Sequence, residues 1–117
     1  GLAAPFTFKG GTYPGAGGTC TTSLNASATC TIVITYAPAS TGAHADALDI
    51  NYNDGVGAQS VSRNMTGTGA APATLTISDG LTYDYGTLAA GGSADKAFTV
   101  SNTGGVTATS INGSGLG

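Results

Sequence analysis

The stretch from Cys30 to Pro38 reads CTIVITYAP, and it decides the fold class. Its residues Ile32, Ile34 and Tyr36 alternate with threonines and a valine, which is the period-two pattern of a strand with one face against a core. Nearly every residue is β-branched or aromatic, and such side chains favour an extended backbone. Proline cannot donate a hydrogen bond to a sheet ladder, so we expect the strand to end at Pro38.

The composition of the whole chain agrees with this strand. The 117 residues are enough for one sandwich domain, and they include 20 glycines, which favour turns. All six acidic residues are aspartate, and aspartate favours turns where glutamate favours helices. No window of the sequence shows a sustained apolar period of three to four residues. We therefore expect an all-β fold.

Turn signals divide the chain into about seven strands, the number typical of an immunoglobulin-like antiparallel β-sandwich. The predicted strands cover residues 5–9, 30–38, 43–52, 58–66, 73–78, 97–101 and 106–111. Asn53-Asp54-Gly55 predicts a hairpin between the third and fourth of these, because Asp-Gly suits the turns that match strand twist. Alternation points Leu48, Ile50 and Tyr52 inward, and it predicts that Ile34 and Phe98 lie in the core.

Charge and hydropathy argue against two classes of partner. The formal net charge is -3, and only 8% of the residues are charged. The cations are Lys9, Arg63 and Lys96, which are too few to neutralise the phosphates of a nucleic acid. No apolar run approaches the ~18 residues of a membrane span. The start of the chain lacks the charged and apolar regions of a signal peptide, so we expect the sequence to be a piece of a longer protein.

No catalytic, metal or cofactor motif is apparent in the sequence. His44 is the only histidine, the serines lie in no Gly-x-Ser-x-Gly elbow, and the aspartates are scattered among turns and strands. The stretch Asp49-x-Asn51-x-Asn53 resembles the start of a calcium loop, but it lacks the following glycine and the glutamate at the twelfth position. We expect a protein that is not an enzyme and that binds no cofactor.

Cys20 and Cys30 are the only cysteines, ten residues apart. In a chain rich in glycine and threonine and poor in charge, they indicate a disulfide rather than a metal site, which would need more ligands. Two buried free thiols are the alternative. A disulfide would place the protein in an oxidising, exported location.

The sequence also resembles a known family. Asp84-Tyr85-Gly86 and residues 98–104, FTVSNTG, look like the opening half of an ASPM/SPD-2/Hydin (ASH) type immunoglobulin-like domain. The CTIVITYAP stretch of residues 30–38, followed by Gly42 and residues 66–69, TGTG, looks like its closing half. Together they resemble the bacterial surface repeats called choice-of-anchor D. This resemblance implies an exported, non-catalytic domain that occurs in tandem in stalks or adhesins.

Relative to that family, the two halves are in reversed order. Residues 1–69 correspond to the closing half of one domain, residues 70–72 (Ala70, Ala71 and Pro72) to an inter-unit linker, and residues 73–117 to the opening half of the next domain. Three interpretations are open. The chain is one period of a tandem fibre, a subunit whose last strands complete a neighbour's sandwich, or a circular permutant that closes on itself.

The leading hypothesis is a structural repeat of a secreted bacterial fibre or adhesin stalk that binds copies of itself, or adjacent repeats, head to tail. The alternative is an extracellular module that recognises glycans or a host surface through its loops. Tyr13, Tyr83 and Tyr85 are the candidate stacking residues for a glycan, although tyrosines that alternate in a strand more often serve packing.

Overall fold

A computed structural model of the chain describes residues 2–116. The described part is all-β, as predicted, and its one helical element is a 3₁₀ turn at Lys9–Gly11. The strands pair in sequence order into three antiparallel sheets of two strands each. They are β1 (Phe6–Phe8), β2 (Ile34–Tyr36), β3 (Gly42–Asn53), β4 (Ala58–Gly69), β5 (Leu75–Ile77) and β6 (Val100–Asn102).

Four of the predicted strands are shorter than expected, and one is missing from the described residues. The prediction for residues 5–9 holds for Phe6–Phe8, and that for residues 73–78 holds for Leu75–Ile77. The prediction for residues 30–38 holds only for β2, because the preceding backbone bonds to loops: Val33 donates to the Pro14 carbonyl at 2.8 Å. The prediction for residues 97–101 holds only from Val100 onward. Residues 106–111 form no strand in the described chain, since no partner strand lies alongside them.

The chain divides into two compact units, Gly1–Gly69 and Ala70–Gly117, which we call the N-terminal unit and the C-terminal unit. The division falls where the sequence changes to the expected linker. β1 to β4 lie in the first unit, and β5 and β6 lie in the second. The assignment of the units as closing and opening halves of a family domain stays a prediction.

A hairpin of two long strands dominates the N-terminal unit. β3 and β4 have 12 residues each and pair over their full length, from Gly42 opposite Gly69 to Asn53 opposite Ala58. Asp54 closes the turn, because its Oδ1 accepts hydrogen bonds of 2.8 Å from the amides of residues 56 and 57. The hairpin therefore forms at the Asn-Asp-Gly sequence that predicted it.

The small β1–β2 sheet packs on one face of this hairpin. Phe6 lies opposite Tyr36, with 4.8 Å between the ring centroids, and Phe6 is only 3% exposed. The Tyr36 ring lies directly on Gly67 of β4, where an added Cβ would come within 2.5 Å of ring carbon. Tyr36 also forms a 2.9 Å hydrogen bond with Nδ1 of His44 on β3. A glycine at position 67 thus lets the two sheets approach each other.

The C-terminal unit has no comparable core. β5 and β6 have three residues each, and their ladder is extended by hydrogen bonds from Ser78 N to the Thr99 carbonyl and from Thr103 N to the Thr74 carbonyl. Within residues 70–116, none of the described residues is buried. The prediction that Phe98 lies in the core is wrong for this chain, since the residue is 42% exposed.

The other core prediction, Ile34, lies in β2 and is half-buried. The described strands form three separate pairs, whereas an immunoglobulin-like sandwich has sheets of three or four strands. The sheets of each unit are therefore narrower than the predicted sandwich requires.

Candidate functional site

An open groove of about 670 Å³ lies in the N-terminal unit. It lies between the disulfide loop and the part of the β3–β4 hairpin nearest the turn. None of its lining residues is charged. Its main apolar lining residues are Tyr13, Leu24, Ile32, Ile50, Tyr52 and Val61. We call this surface the apolar groove.

Alternation along the hairpin builds the floor of the apolar groove. Ile50 and Val61 lie directly opposite each other in the register of β3 and β4, and Tyr52 follows two residues after Ile50. The other face of the same strands carries Asp49 opposite Ser62, whose side chains share a 2.6 Å hydrogen bond. This face is apolar near the turn, whereas Asp46 and Arg63 lie on it farther along the strands. Tyr52 and Val61 remain 47% and 54% exposed, so the predicted inward position of Tyr52 is not a buried one.

The disulfide loop forms one wall of the groove. Cys20 and Cys30 are bonded, with 4.8 Å between their Cα atoms, which confirms the predicted pairing. Beside the bond, Thr19 N donates to the Thr31 carbonyl at 3.0 Å, and Thr31 N donates to Oγ1 of Thr19 at 2.9 Å. These hydrogen bonds and the disulfide tie together the two ends of the loop, and residues 21–29 between them form no strand. A disulfide is typical of a setting outside the reducing cytoplasm.

Tyr13, one of the three candidate stacking residues, lies at the edge of the groove. Its hydroxyl donates to the Thr21 carbonyl at 2.9 Å, and its ring meets Phe8 edge-on with 5.8 Å between centroids. The side chain is therefore held in place by contacts at both ends. The side chain is nevertheless 46% exposed at the edge of the groove.

The other two candidate tyrosines form an aromatic cluster in the C-terminal unit. Tyr83 meets Tyr85 and Phe98 edge-on, with centroids 5.1 and 5.5 Å apart. The ammonium group of Lys96 lies 4.9 Å from the centre of the Tyr83 ring and 3.4 Å from Oδ1 of Asp79. The edge contacts favour packing as the role of these rings.

β5 and β6 present a second apolar surface in the same unit. Ile77 lies opposite Val100, and Leu75 lies two residues before Ile77 on the same face. Ile77 is 67% exposed and Val100 is 55% exposed. The residues between them on the opposite face are Thr76 and Ser101. We call the surface formed by Leu75, Ile77 and Val100 the strand face.

The polar residues considered for chemistry serve local structure. Both ring nitrogens of His44 are hydrogen-bonded, Nδ1 to Tyr36 and Nε2 to Ser40 at 3.2 Å. In the calcium-like stretch, Asn53 accepts from the Gly55 amide at 2.8 Å. Residues 2–116 contain no group of three or more histidine, cysteine or acidic side chains that could hold a metal ion.

Two carboxylates have perturbed acidity because backbone amides donate to them. The amides of Ala3 and Ala47 donate to Asp46 at 2.9 and 2.8 Å and lower its pKa below the ordinary value. The amides of Gly57 and Val56 lower the pKa of Asp54 in the same way. In each case the donors favour the charged form of the carboxylate, which is a structural role.

The predicted linker is part of the C-terminal unit. The amide of Gly105 donates to the Ala71 carbonyl at 2.9 Å. A Cβ at position 104 would collide with the Pro72 carbonyl oxygen, so glycine is needed there for the two segments to approach. By its sequence, the Gly-Gly pair at 104–105 is only a turn signal. Its close contact with residues 71 and 72 depends on tertiary structure.

No family model, curated protein or solved structure matches the chain. In the described part of the chain, no helix is long and apolar enough to cross a membrane. The resemblance to choice-of-anchor D repeats therefore rests on the residues quoted for it.

Proposed function

We propose that the chain is a non-catalytic structural repeat of a secreted bacterial surface fibre or adhesin stalk. In this arrangement, the C-terminal unit of one copy completes the N-terminal unit of the next copy, and the two together make an immunoglobulin-like sandwich. The observation that carries the proposal is that none of the described residues between 70 and 116 is buried.

The C-terminal unit leaves large apolar side chains in water. They include Leu75, Ile77, Leu88, Phe98, Val100, Val106 and Ile111. Soluble monomers rarely expose contiguous apolar surface of this kind, and an uncovered sheet edge invites pairing with another chain. A second sheet packed on the apolar face would remove the first problem, and a strand paired along the edge would remove the second.

The N-terminal unit has the complementary need. Its hairpin is apolar on one face near the turn, and the disulfide loop covers only part of that stretch. A further strand pair in the apolar groove would cover the rest of this apolar stretch. Because the two units expose different surfaces, contacts between copies are heterologous, and such contacts produce open-ended fibres unless they close into a ring.

The disulfide supports an extracellular location for this assembly. Disulfides persist in oxidising compartments, and they compensate for small cores in secreted domains. The resemblance to choice-of-anchor D repeats supports the same location and the order of the halves.

The test is the assembly state of the full chain with its disulfide intact. Sedimentation velocity over a wide concentration range should show species that grow with concentration, and negative-stain images should show filaments with a regular repeat. A monomer at every concentration would overturn the proposal and favour a chain that closes on itself.

The glycan-binding alternative makes a different prediction for Tyr13. A glycan array should show no saturable binding if the role is structural. Saturable binding that is lost in Tyr13→Ala would favour the binding module instead.

A further inference from the structure

We infer that the apolar groove of one copy receives the strand face of a second copy, so that each chain carries one acceptor and one donor. This inference rests on the proposed function and names the two surfaces that it would use. The acceptor is the groove floor of Ile50, Tyr52 and Val61, and the donor is the face formed by Leu75, Ile77 and Val100.

The chemistry of the groove restricts what can occupy it. Its lining carries no charged side chain, so a charged occupant would lose its hydration without gaining a partner. Its floor presents apolar side chains two residues apart along paired strands. An occupant that brings uncharged apolar side chains at the same period would match both properties.

The strand face has these properties. Leu75 and Ile77 are two residues apart on β5, and Val100 lies opposite Ile77 on β6. None of the three is charged, and the nearest charged residues in sequence, Asp79 and Lys96, pair with each other. Asn102 lies opposite Leu75 on the same face, and its side-chain amide is hydrogen-bonded to backbone groups of its own unit. The face is therefore uncharged and mainly apolar.

Stoichiometry favours a second copy over a foreign protein. Every chain brings one groove and one strand face, so pairing between copies covers both surfaces in equal number. A foreign strand in the groove would leave Ile77 and Val100 in water on every copy. A second copy is the occupant that leaves neither surface exposed along the fibre.

Two single substitutions disrupt the apolar groove and the strand face separately. Val61→Asp places a charge on the groove floor, and Ile77→Asp places one on the strand face. Ser60→Asp and Thr76→Asp are the matched controls, since each adds the same charge at the adjacent position on the opposite face. Val61 and Ile77 are both more than half exposed, so the isolated chain should tolerate the changes.

Alone, Val61→Asp and Ile77→Asp should each associate at least about 100-fold more weakly than the native chain, because a charged group would lose its hydration in an apolar contact. Both controls should assemble like the native chain. Mixed in equal amounts, the two variants should form a heterodimer and nothing larger, because the mixture contains one intact acceptor and one intact donor. Sedimentation velocity measures all of these species.

The possible results separate the inference from the proposed function. If the native chain forms fibres and Val61→Asp also does, the groove is not the acceptor, although the fibre proposal stands. Failure of the mixture to form a heterodimer would equally overturn the pairing of these two surfaces. If the native chain does not assemble, the proposed function itself fails. Tyr52→Asp repeats the acceptor test at a second floor position, and circular dichroism of each variant checks its folding.

Discussion

Both units of the chain contain antiparallel strand pairs, but they differ in strand length and in how far their apolar side chains are buried. In the N-terminal unit, strands of 12 residues form a hairpin, a second small sheet packs on it, and Phe6 and Cys20 are buried. In the C-terminal unit, strands of three residues pair, and none of its described residues is buried. The difference shows that an alternating apolar pattern can form a ladder without forming a core.

The N-terminal unit has three features that compensate for its small core. A disulfide closes the loop between residues 20 and 30, Tyr36 packs on Gly67, and Asp54 closes the hairpin turn. An isolated two-stranded hairpin is marginally stable in water, so such additions decide whether a unit holds its structure alone. The C-terminal unit relies on its short ladder and its aromatic cluster.

The strongest test of this contrast is truncation of one phenylalanine in each unit. Phe6→Ala should cost about 3–5 kcal/mol of unfolding free energy, because the ring is buried against Tyr36. Phe98→Ala should cost under about 1 kcal/mol in the dilute chain, since a half-exposed ring leaves no enclosed cavity. Urea unfolding below the assembly concentration measures both losses. Equal losses would mean that the C-terminal unit has a core of its own.

Removal of the disulfide should have the next largest effect. Cys20→Ala combined with Cys30→Ala should destabilise the N-terminal unit by somewhat under about 3 kcal/mol, because a loop of about ten residues is no longer closed in the unfolded chain. Since the loop forms a wall of the apolar groove, assembly should weaken as well. Hydrogen exchange should show faster opening in β1 to β4 and no change in β5 and β6. Faster exchange in the C-terminal strands would contradict an effect confined to the N-terminal unit.

A glycine pair tests the close approach of the two sheets in the N-terminal unit. Gly67→Ala should cost about 1–3 kcal/mol, because the new methyl group would collide with the Tyr36 ring. Gly57→Ala is the control, since a Cβ there would meet nothing within 4 Å. Thermal unfolding of the two variants compares them directly. An unchanged Gly67→Ala protein would mean that Tyr36 does not pack on the hairpin.

Acidification should lower the unfolding free energy of the N-terminal unit, and we expect this effect to be smaller than those of the substitutions above. The pKa values of Asp46 and Asp54 are lower in the folded chain than in the unfolded one, so their stabilisation is present above about pH 4 and is lost as the pH falls through the folded values. The midpoint of urea unfolding should therefore decrease between neutral and acid pH. Asp46→Asn combined with Asp54→Asn should reduce that decrease. A midpoint that rises on acidification would reverse the expected sign.

The sequence alone determined several features correctly, and each depends on local chemistry. Apolar alternation and the absence of a helical period indicated the all-β class. The Asn-Asp-Gly sequence predicted the β3–β4 hairpin, and the presence of two cysteines in a chain of this composition predicted the disulfide. These predictions need only side-chain stiffness, turn geometry and the redox chemistry of a thiol pair. They do not require knowledge of any distant part of the chain.

Tertiary structure decided which apolar residues are covered. Alternation predicted that Phe98 and Ile34 lie in the core, but Phe98 is exposed and Ile34 is half-buried. Among the large apolar residues of the described chain, Phe6 is the most deeply buried. Tertiary contacts also make residues 71 and 72 of the predicted linker part of the C-terminal unit, since they pack against Gly104 and Gly105. A period of two shows only that a strand has an apolar face. Burial depends on whether another surface, far away in the sequence or on another chain, approaches closely enough to exclude water from that face.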